Sequence, residues 1–264
     1  MANAWLVPPL PVVSIDANST TRGVPSHMLN DYVGVIWRGE GVGTHNIVFD
    51  LGRDVAIDTI MLFGVAVYGA SPSWQISLAT AAQGPSFAAG SFWAGPQEPM
   101  LVGSLTPETG SVALWSAPVG APAAIRHVSI VIRHATAFRL DVSRLVISKR
   151  VQLERNFTFG AAHGVRDLGS IDFSARGVLI RRRAKKLRTL GLTFSNVRRD
   201  EVEGQVRPLL GQIGNTEMIA LVTDPEPHAM RQRRCFFGPL VGDLGDVHRN
   251  AAAFEAKTNL VSIF

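Results

Sequence analysis

The residues of this sequence best suited to chemistry are two tryptophans in polar or glycine-rich surroundings. Trp37 is followed closely by Arg38, Glu40 and His45, and Trp93 lies in a stretch rich in Gly, Ser and Ala. An exposed aromatic face beside groups that donate and accept hydrogen bonds is suited to stacking on a sugar ring and orienting it. These five residues form the candidate ligand-binding set. Burial of Trp37 in a core is the competing interpretation, since tryptophan is highly buried on average.

Other residues that commonly act in catalysis or bind metals are not arranged in a recognisable motif. The seven histidines have no metal-ligand spacing, and the single cysteine, Cys235, lies in an apolar stretch that favours a buried, unreactive thiol. No nucleophile-elbow, P-loop or dinucleotide-binding motif is present. The loops between Asp16 and Asp31 carry hard oxygen atoms that would suit calcium, but in no ordered ligand pattern. We therefore expect no enzyme activity, no metal and no cofactor.

A basic run marks the second half of the chain. Six positive residues fall within eight positions, and they are Arg181, Arg182, Arg183, Lys185, Lys186 and Arg188. The run feeds an alternating apolar strand, and upstream Ile171 and Phe173 alternate with polar residues as in a half-buried strand. Three interpretations stay open for the run: a solvated edge guarded by charge, an assembly interface with an acidic neighbour, and a nucleic-acid site. Nucleic acid is the least favoured partner, because no aromatic residues interleave the charges.

Strands position the candidate residues of the first half. Apolar and polar residues alternate over 46–51, 74–78, 125–133 and 138–143, which is typical of strands with one buried face. Strands so far apart in sequence share a core only if the intervening chain folds back, as it does in a β-sandwich. Up to eight short strands and no convincing helix therefore predict an antiparallel sandwich.

Composition divides the chain near its middle. All five tryptophans lie in the first half, whereas the formal net charge of +5 falls in the second. The second half also holds one good amphipathic helix, 199–213, which Pro208 should kink or shorten. The sequence thus predicts a mainly β protein: a proline-stiffened arm at 1–14 that would lie on a neighbour, a sandwich at 15–150, and a smaller α+β assembly domain with one principal helix at 151–264.

Bulk properties exclude several classes of protein. Hydrophobic residues make up 46% and charged residues 18%, which is a globular rather than a disordered composition. One cysteine cannot form an internal disulfide framework. The longest uncharged apolar run, 59–70, is too short to span a bilayer, and the N-terminus lacks the basic region of a signal peptide. We expect a soluble protein with no membrane span.

The first half resembles the discoidin-like, or galactose-binding-like, jelly roll. The likeness rests on Trp37, on the strand 46–52 that closes with Asp-Leu-Gly, on 57–60, on the core strand 124–130 and on the closing strand 142–147. The resemblance implies a jelly-roll sandwich that would bind any ligand through its loops rather than its strand faces. Ligands vary freely on this scaffold, and a host-surface glycan is one that it allows.

The second half is similar, in the order of its elements, to the C-terminal part of tail proteins from tailed bacteriophages. That order is a basic strand, a helix, an apolar strand ending in Asp-Pro, an aromatic-Gly-Pro strand and a terminal strand. The resemblance implies a virion structural protein of the tail or tail tip, assembled in the host cytoplasm into a homo-oligomeric ring or adaptor with other tail proteins. The alternative is a carbohydrate-binding module that recognises host glycans without a ring role.

Overall fold

The computed structural model describes residues 3–68, 71–88, 90–103, 110–242, 245–250 and 253–264. Strands dominate, and in chain order the first eleven are β1 (Trp5–Val7), β2 (Ser14–Ala17), β3 (Thr20–Arg22), β4 (Trp37–Val55), β5 (Thr59–Tyr68), β6 (Ser73–Ala79), β7 (Trp93–Ala94), β8 (Glu98–Pro99), β9 (Ser111–Ser116), β10 (Ile125–Val142) and β11 (Arg144–Ser148). The others are β12 (Ala162–Asp167), β13 (Ser170–Phe173), β14 (Leu179–Arg182), β15 (Lys186–Arg198), β16 (Met218–Val222), β17 (Cys235–Pro239), β18 (Gly245–Asn250) and β19 (Ala253–Ser262). One helix, α1 (199–213), and two short 3-10 turns (Pro25–Leu29 and Arg231–Arg234) complete the described secondary structure.

An antiparallel jelly-roll sandwich forms the first half, and it confirms the predicted mainly β fold. Strand β10 organises it, because residues 127–133 pair with β6 on one side and with β4 on the other. Further along β10, residues 139–141 pair with β5 and so enter the second sheet, which contains β9, β5 and β11. The predicted alternation is confirmed too, since one buried cluster between the sheets contains the alternating residues Ile47, Phe49, Leu51, Val128, Ile130 and Ile132.

A smaller α+β unit forms most of the second half. Strands β12, β15, β19 and β18 make one sheet, and β1, β16 and β17 make another. Helix α1 contributes Val202, Val206, Leu209 and Ile213 to a second buried cluster with residues of β15 and β19. No helix in the described ranges is long and apolar enough to cross a bilayer.

The helix continues through its proline. Pro208 has no N–H to give to the carbonyl of Gly204, so the preceding turn widens into a π-helical segment, Val202–Val206, in which the Arg207 N–H donates to the Val202 carbonyl. The predicted interruption at Pro208 is therefore a local widening, and α-helical geometry resumes over Arg207–Ile213.

The N-terminal segment lies in the chain's own core, which corrects the predicted neighbour-binding arm at 1–14. Strand β1 pairs antiparallel with β16, and Trp5, Leu6 and Val7 are all buried. Leu6 also exchanges both backbone hydrogen bonds with Val151, at 2.9 and 2.7 Å. Local composition indicated an extended segment correctly, but the pairing partner lies more than two hundred residues away.

A third buried cluster joins the two halves. It combines the outward faces of β5, β9 and β11 with the facing sides of β1, β16 and β17. The ring of Phe237 lies 5.2 Å from that of Phe63 and 6.1 Å from that of Phe264. Cys235 is buried here, as expected, and burial raises the pKa of its thiol to about 11. The domain boundary near residue 150 stays a prediction, but any cut there would expose this shared core.

An ion pair on the outer face of the sandwich makes stability depend on acid pH. Arg126 donates to both carboxylate oxygens of Asp50, at 2.8 and 2.9 Å, and this bonding lowers the pKa of Asp50 to about 2. A carboxyl whose pKa is lower in the folded state stabilises the fold above its unfolded pKa, and that stabilisation is lost as pH falls from about 4 towards 2.

We therefore expect Asp50→Asn to lose less stability between pH 7 and pH 3 than the unaltered chain. Urea unfolding at both pH values measures this difference. Asp54→Asn is the matched control, because Asp54 accepts a backbone hydrogen bond from Ala81 and acts on Arg126 only through its charge, with no hydrogen bond to it among the described contacts. Equal acid sensitivity of Asp50→Asn and the unaltered chain would contradict the expectation.

Candidate functional site

Two members of the predicted ligand-binding set lie inside the sandwich. Trp37 is completely buried and its Nε1 donates to Thr20 Oγ1 at 2.9 Å. His45 is also buried, with its ring edge-on to Trp37 and to Phe138, and its Nδ1 lies 2.7 Å from Ser19 Oγ. Burial lowers the pKa of His45. Because both side chains point inward from β4, the predicted aromatic platform at Trp37 and His45 is corrected to core packing.

Trp93 occupies an intermediate position. It is half-buried, pairs with Leu78 of β6, and its ring lies 6.3 Å from that of Trp115 at the margin of the sandwich core. Strands β6 and β4 flank β10 on opposite sides, so Trp93 lies apart from Arg38 and Glu40 of β4. A ligand contact by Trp93 stays a prediction, separate from the other members of the set.

Arg38 belongs to an ionic cluster at the rim of the sandwich. Its Nε and Nη2 donate to the Asp141 carboxylate at 2.6 and 2.9 Å. Arg139 donates to the same carboxylate at 3.3 and 3.0 Å. Burial acts to raise the pKa of Asp141, but the hydrogen bonds from the two guanidinium groups outweigh it and the pKa is lowered. Asp141 is therefore ionised at neutral pH, and both arginines are held in place.

An exposed tyrosine stands beside this cluster. The guanidinium carbon of Arg139 lies 4.1 Å from the centroid of the Tyr68 ring, and Arg139 Nη2 donates to the tyrosine hydroxyl at 3.2 Å. Tyr68 is 54% exposed, and Glu40 of β4 is exposed as well. We call Arg38, Glu40, Tyr68, Arg139 and Asp141 the rim site. It joins an aromatic surface to fixed hydrogen-bond donors and acceptors.

Sequence patterns pointed to two of the five rim-site residues, Arg38 and Glu40, and missed the other three. Tyr68 is the last residue of β5, and Arg139 and Asp141 alternate with core residues of β10. The structure brings them to Arg38 because Asp141 pairs directly with Arg38 across β4 and β10, and Arg139 pairs with Tyr68 across β10 and β5. In the sequence these residues appear only as polar residues at the outward positions of a predicted strand. Any solvent-exposed strand face shows the same pattern, so it does not indicate a binding site.

The basic run divides into one half-buried residue and five exposed ones on or next to the hairpin of β13 and β14. Arg188 donates to the carbonyls of Cys235 and Phe264 at 2.9 and 3.1 Å and lies over the Phe236 ring, and burial lowers the pKa of its guanidinium. Its assignment to an assembly surface is corrected to a structural role within the chain. The other five are exposed: Arg181, Arg182, Arg183, Lys185 and Lys186.

The hairpin that carries these charges also exposes large apolar side chains. Every residue of β13 and β14 is exposed, and the larger apolar ones in this region are Ile171, Phe173, Val178, Leu179 and Ile180. The alternation at Ile171 and Phe173, which favoured a half-buried strand, is therefore not matched by burial. No cluster of potential metal ligands occurs within the described ranges.

Comparisons with known proteins identify no family. No protein-family model matches the chain, and no curated protein matches it. Solved structures with partial likeness include a fucosidase of Ruminococcus gnavus bound to fucose, at 12% identity and a TM-score of 0.38. This chain covers 25% of that fucosidase chain, with 52% of its own residues.

Two smaller proteins are covered almost entirely. One is the family 32 carbohydrate-binding module of NanJ from C. perfringens in complex with galactose, at 11% identity and a TM-score of 0.39, which involves 55% of this chain and 98% of that one. Another is a chitosan-binding module from a Paenibacillus chitosanase/glucanase, at 16% identity and a TM-score of 0.37, with coverages of 51% and 92%. Likeness this low assigns neither a family nor a ligand.

Proposed function

We propose that the jelly roll binds carbohydrate at the rim site. The observation that carries the proposal is the half-exposed Tyr68 ring beside guanidinium and carboxylate groups whose positions are already fixed. Sugar rings offer apolar faces that stack on aromatic rings, and hydroxyl groups that bond to charged donors and acceptors. Arg38 and Arg139 are already held in place by Asp141. They therefore lose little conformational entropy when a ligand binds, which favours affinity. Tyr68 ends β5, and the other rim-site residues are outward-facing positions close to the start of β4 and the end of β10. The proposed ligand would therefore lie on the outer face of the sheet near its end, which differs from the loop site that the resemblance implies.

Binding without catalysis suits the same geometry. Glycoside hydrolysis needs one carboxylic acid that is protonated and can donate to the leaving group. Asp141 is instead held ionised by Arg38 and Arg139, so it is a poor proton donor at neutral pH. We therefore propose a binding module and not a hydrolase.

Substitution of Tyr68 by alanine tests the carbohydrate proposal. A glycan array with the full chain identifies a ligand, and isothermal titration with that ligand should show about tenfold weaker binding for Tyr68→Ala, since an aromatic contact contributes roughly 0.5–1.5 kcal/mol. The melting temperature should hardly change, because the ring is exposed.

Tyr32→Ala is the matched control, since Tyr32 is the other tyrosine of the chain and is more exposed than Tyr68. It should bind the glycan as the unaltered chain does. Absence of any glycan ligand for the unaltered chain, or equal weakening by both substitutions, would refute binding at the rim site.

A second candidate function is structural: a component of a bacteriophage tail or tail tip that assembles into a ring or adaptor in the virion. The observation that favours assembly is the hairpin of β13 and β14, because exposed contiguous apolar surface of this kind marks interaction sites. Cryo-electron microscopy of the purified chain and of assembled particles tests this candidate. Several copies arranged around an axis would support it, and a chain that stays a single copy under all conditions would refute it.

A further inference from the structure

The exposed hairpin is the outer part of one long two-stranded ribbon. Strand β12 pairs with β15 as far as Asp167 and Lys186, the Leu168 N–H then donates to the Lys185 carbonyl at 3.2 Å, and β13 pairs with β14 from Ser170 and Arg182 onward. We call residues 162–191 the ribbon. Strand β15 pairs with β19 only from Arg188 onward. The outer part of the ribbon, which contains β13 and β14, therefore pairs with no third strand among the described residues. The nine residue steps from Arg188 to Leu179 span roughly 30 Å at the rise of a strand.

The ribbon has one apolar face. Cross-strand partners lie on the same face, and the pairs Ile171–Arg181 and Phe173–Leu179 therefore stand together. Ile171 is 68% and Phe173 65% exposed. An isolated two-stranded ribbon is marginally stable in water, so covering this face would stabilise it.

Charge disfavours the simplest way of covering that face, which is to pack two copies of it against each other. Arg181, Arg182, Arg183 and Lys186 form no ion pair with any described residue. Such packing would bring the unpaired basic residues of both copies into one interface. Like charges repel, so an acceptor surface that carries negative charge is favoured.

A groove on the same chain that is lined by two carboxylates is a candidate acceptor for the basic ribbon. The groove, of about 490 Å3, runs between the N-terminal segment, the sandwich and the end of α1. Most of its lining residues are apolar or proline, among them Pro8, Leu10, Pro11, Leu29 and Met218, although polar atoms make up more than half of its exposed surface.

Two carboxylates, of Asp31 and Glu217, give the groove its charge. Arg144 also lines the groove, but it is paired with Asp31 at 3.0 Å, which leaves Glu217 as the uncompensated charge. Glu217 is exposed and forms no ion pair within the described ranges, and Tyr32 and Val33, which follow Asp31 in the chain, are exposed as well.

We propose that the ribbon of one copy docks, by the face that carries Ile171 and Phe173, into this groove of a second copy. The inference rests on the second proposed function, assembly, and names the surfaces that carry it out. Ile171 and Phe173 contact the proline and leucine side chains of the groove, and the basic residues of the ribbon face Glu217. Because ribbon and groove are different surfaces, the contact is head-to-tail, and repetition of it closes a ring if the rotation between copies allows closure.

Complementation between two variants of the full chain tests the proposal. Phe173→Asp damages the ribbon and leaves the groove intact, whereas the double variant Pro11→Lys with Glu217→Lys damages the groove and leaves the ribbon intact. Sedimentation velocity over a concentration series should show self-association of the unaltered chain and at least about tenfold weaker association of each variant. An equimolar mixture of the two variants should form one-to-one pairs. Val119→Asp, at an exposed apolar position of the sandwich, should associate like the unaltered chain.

Each other outcome overturns the inference in a distinct way. Oligomers that persist in both folded variants would refute this contact and leave assembly standing. An unaltered chain that stays monomeric at its highest soluble concentration would refute both. Binding of that monomer to phosphatidylserine vesicles, lost in Phe173→Asp, would assign the apolar face to a membrane surface instead of a second copy.

Discussion

Replacement of Phe237 by alanine should lower the free energy of unfolding by about 3–5 kcal/mol. The ring is completely buried in the cluster between the two halves, in contact with Phe63 and Phe264. Its removal leaves a cavity lined by residues of both halves, which the paired strands on either side cannot close. Urea unfolding followed by circular dichroism measures the loss.

Cys235 lies in the same cluster, and the reactivity of its thiol measures how well the cluster excludes solvent. Its thiol is buried and its pKa is raised to about 11, so it should resist thiol reagents at pH 8 in the unaltered chain and react faster in Phe237→Ala. Phe159→Ala is the matched control, because Phe159 is fully exposed and should change neither stability nor reactivity. A loss below about 1 kcal/mol for Phe237→Ala would mean that contact between the halves contributes little to folding.

Trp37→Ala should lower the free energy of unfolding by a similar amount, about 3–5 kcal/mol. The indole fills the sandwich core and its Nε1 is bonded to Thr20. Thermal and urea unfolding measure the effect. Trp37→Phe, which keeps most of the buried ring, should cost less.

The same pair of variants distinguishes a core residue from a ligand platform. A platform would lose glycan affinity in Trp37→Ala while keeping its stability, and that result would contradict the buried placement. Folded Trp37→Phe should bind any glycan found for the unaltered chain with the same affinity, because the rim site lies outside the core.

Regular alternation made the sandwich predictable. Apolar residues recur at every second position over 47–51 and 128–132, and because strand side chains point to opposite faces in turn, this pattern predicts which of them are buried. The helix at 199–213 was predictable for the same reason, at helical spacing. Its passage through Pro208 was not, since a proline within a helical pattern is compatible both with a break and with a widened turn.

The rim site could not be predicted from local sequence patterns. Arg38 and Asp141 are 103 residues apart, and only the register between β4 and β10 makes them partners. The sequence grouped Arg38 with Trp37 and His45 because they are neighbours along β4. Alternation along that strand instead sends Trp37 and His45 inward and Arg38 outward.

The sequence by itself determined the mainly β class, the sandwich, the helix and the buried thiol of Cys235, because each follows from side-chain periodicity and hydrophobicity over a few residues. Tertiary structure decided which faces are covered. Strand β1 is covered by the second half of the chain, whereas the alternating residues Ile171 and Phe173 are left uncovered. A period-two pattern states that a strand has an apolar face, but whether that face is buried depends on a second layer, which only the path of the whole chain supplies.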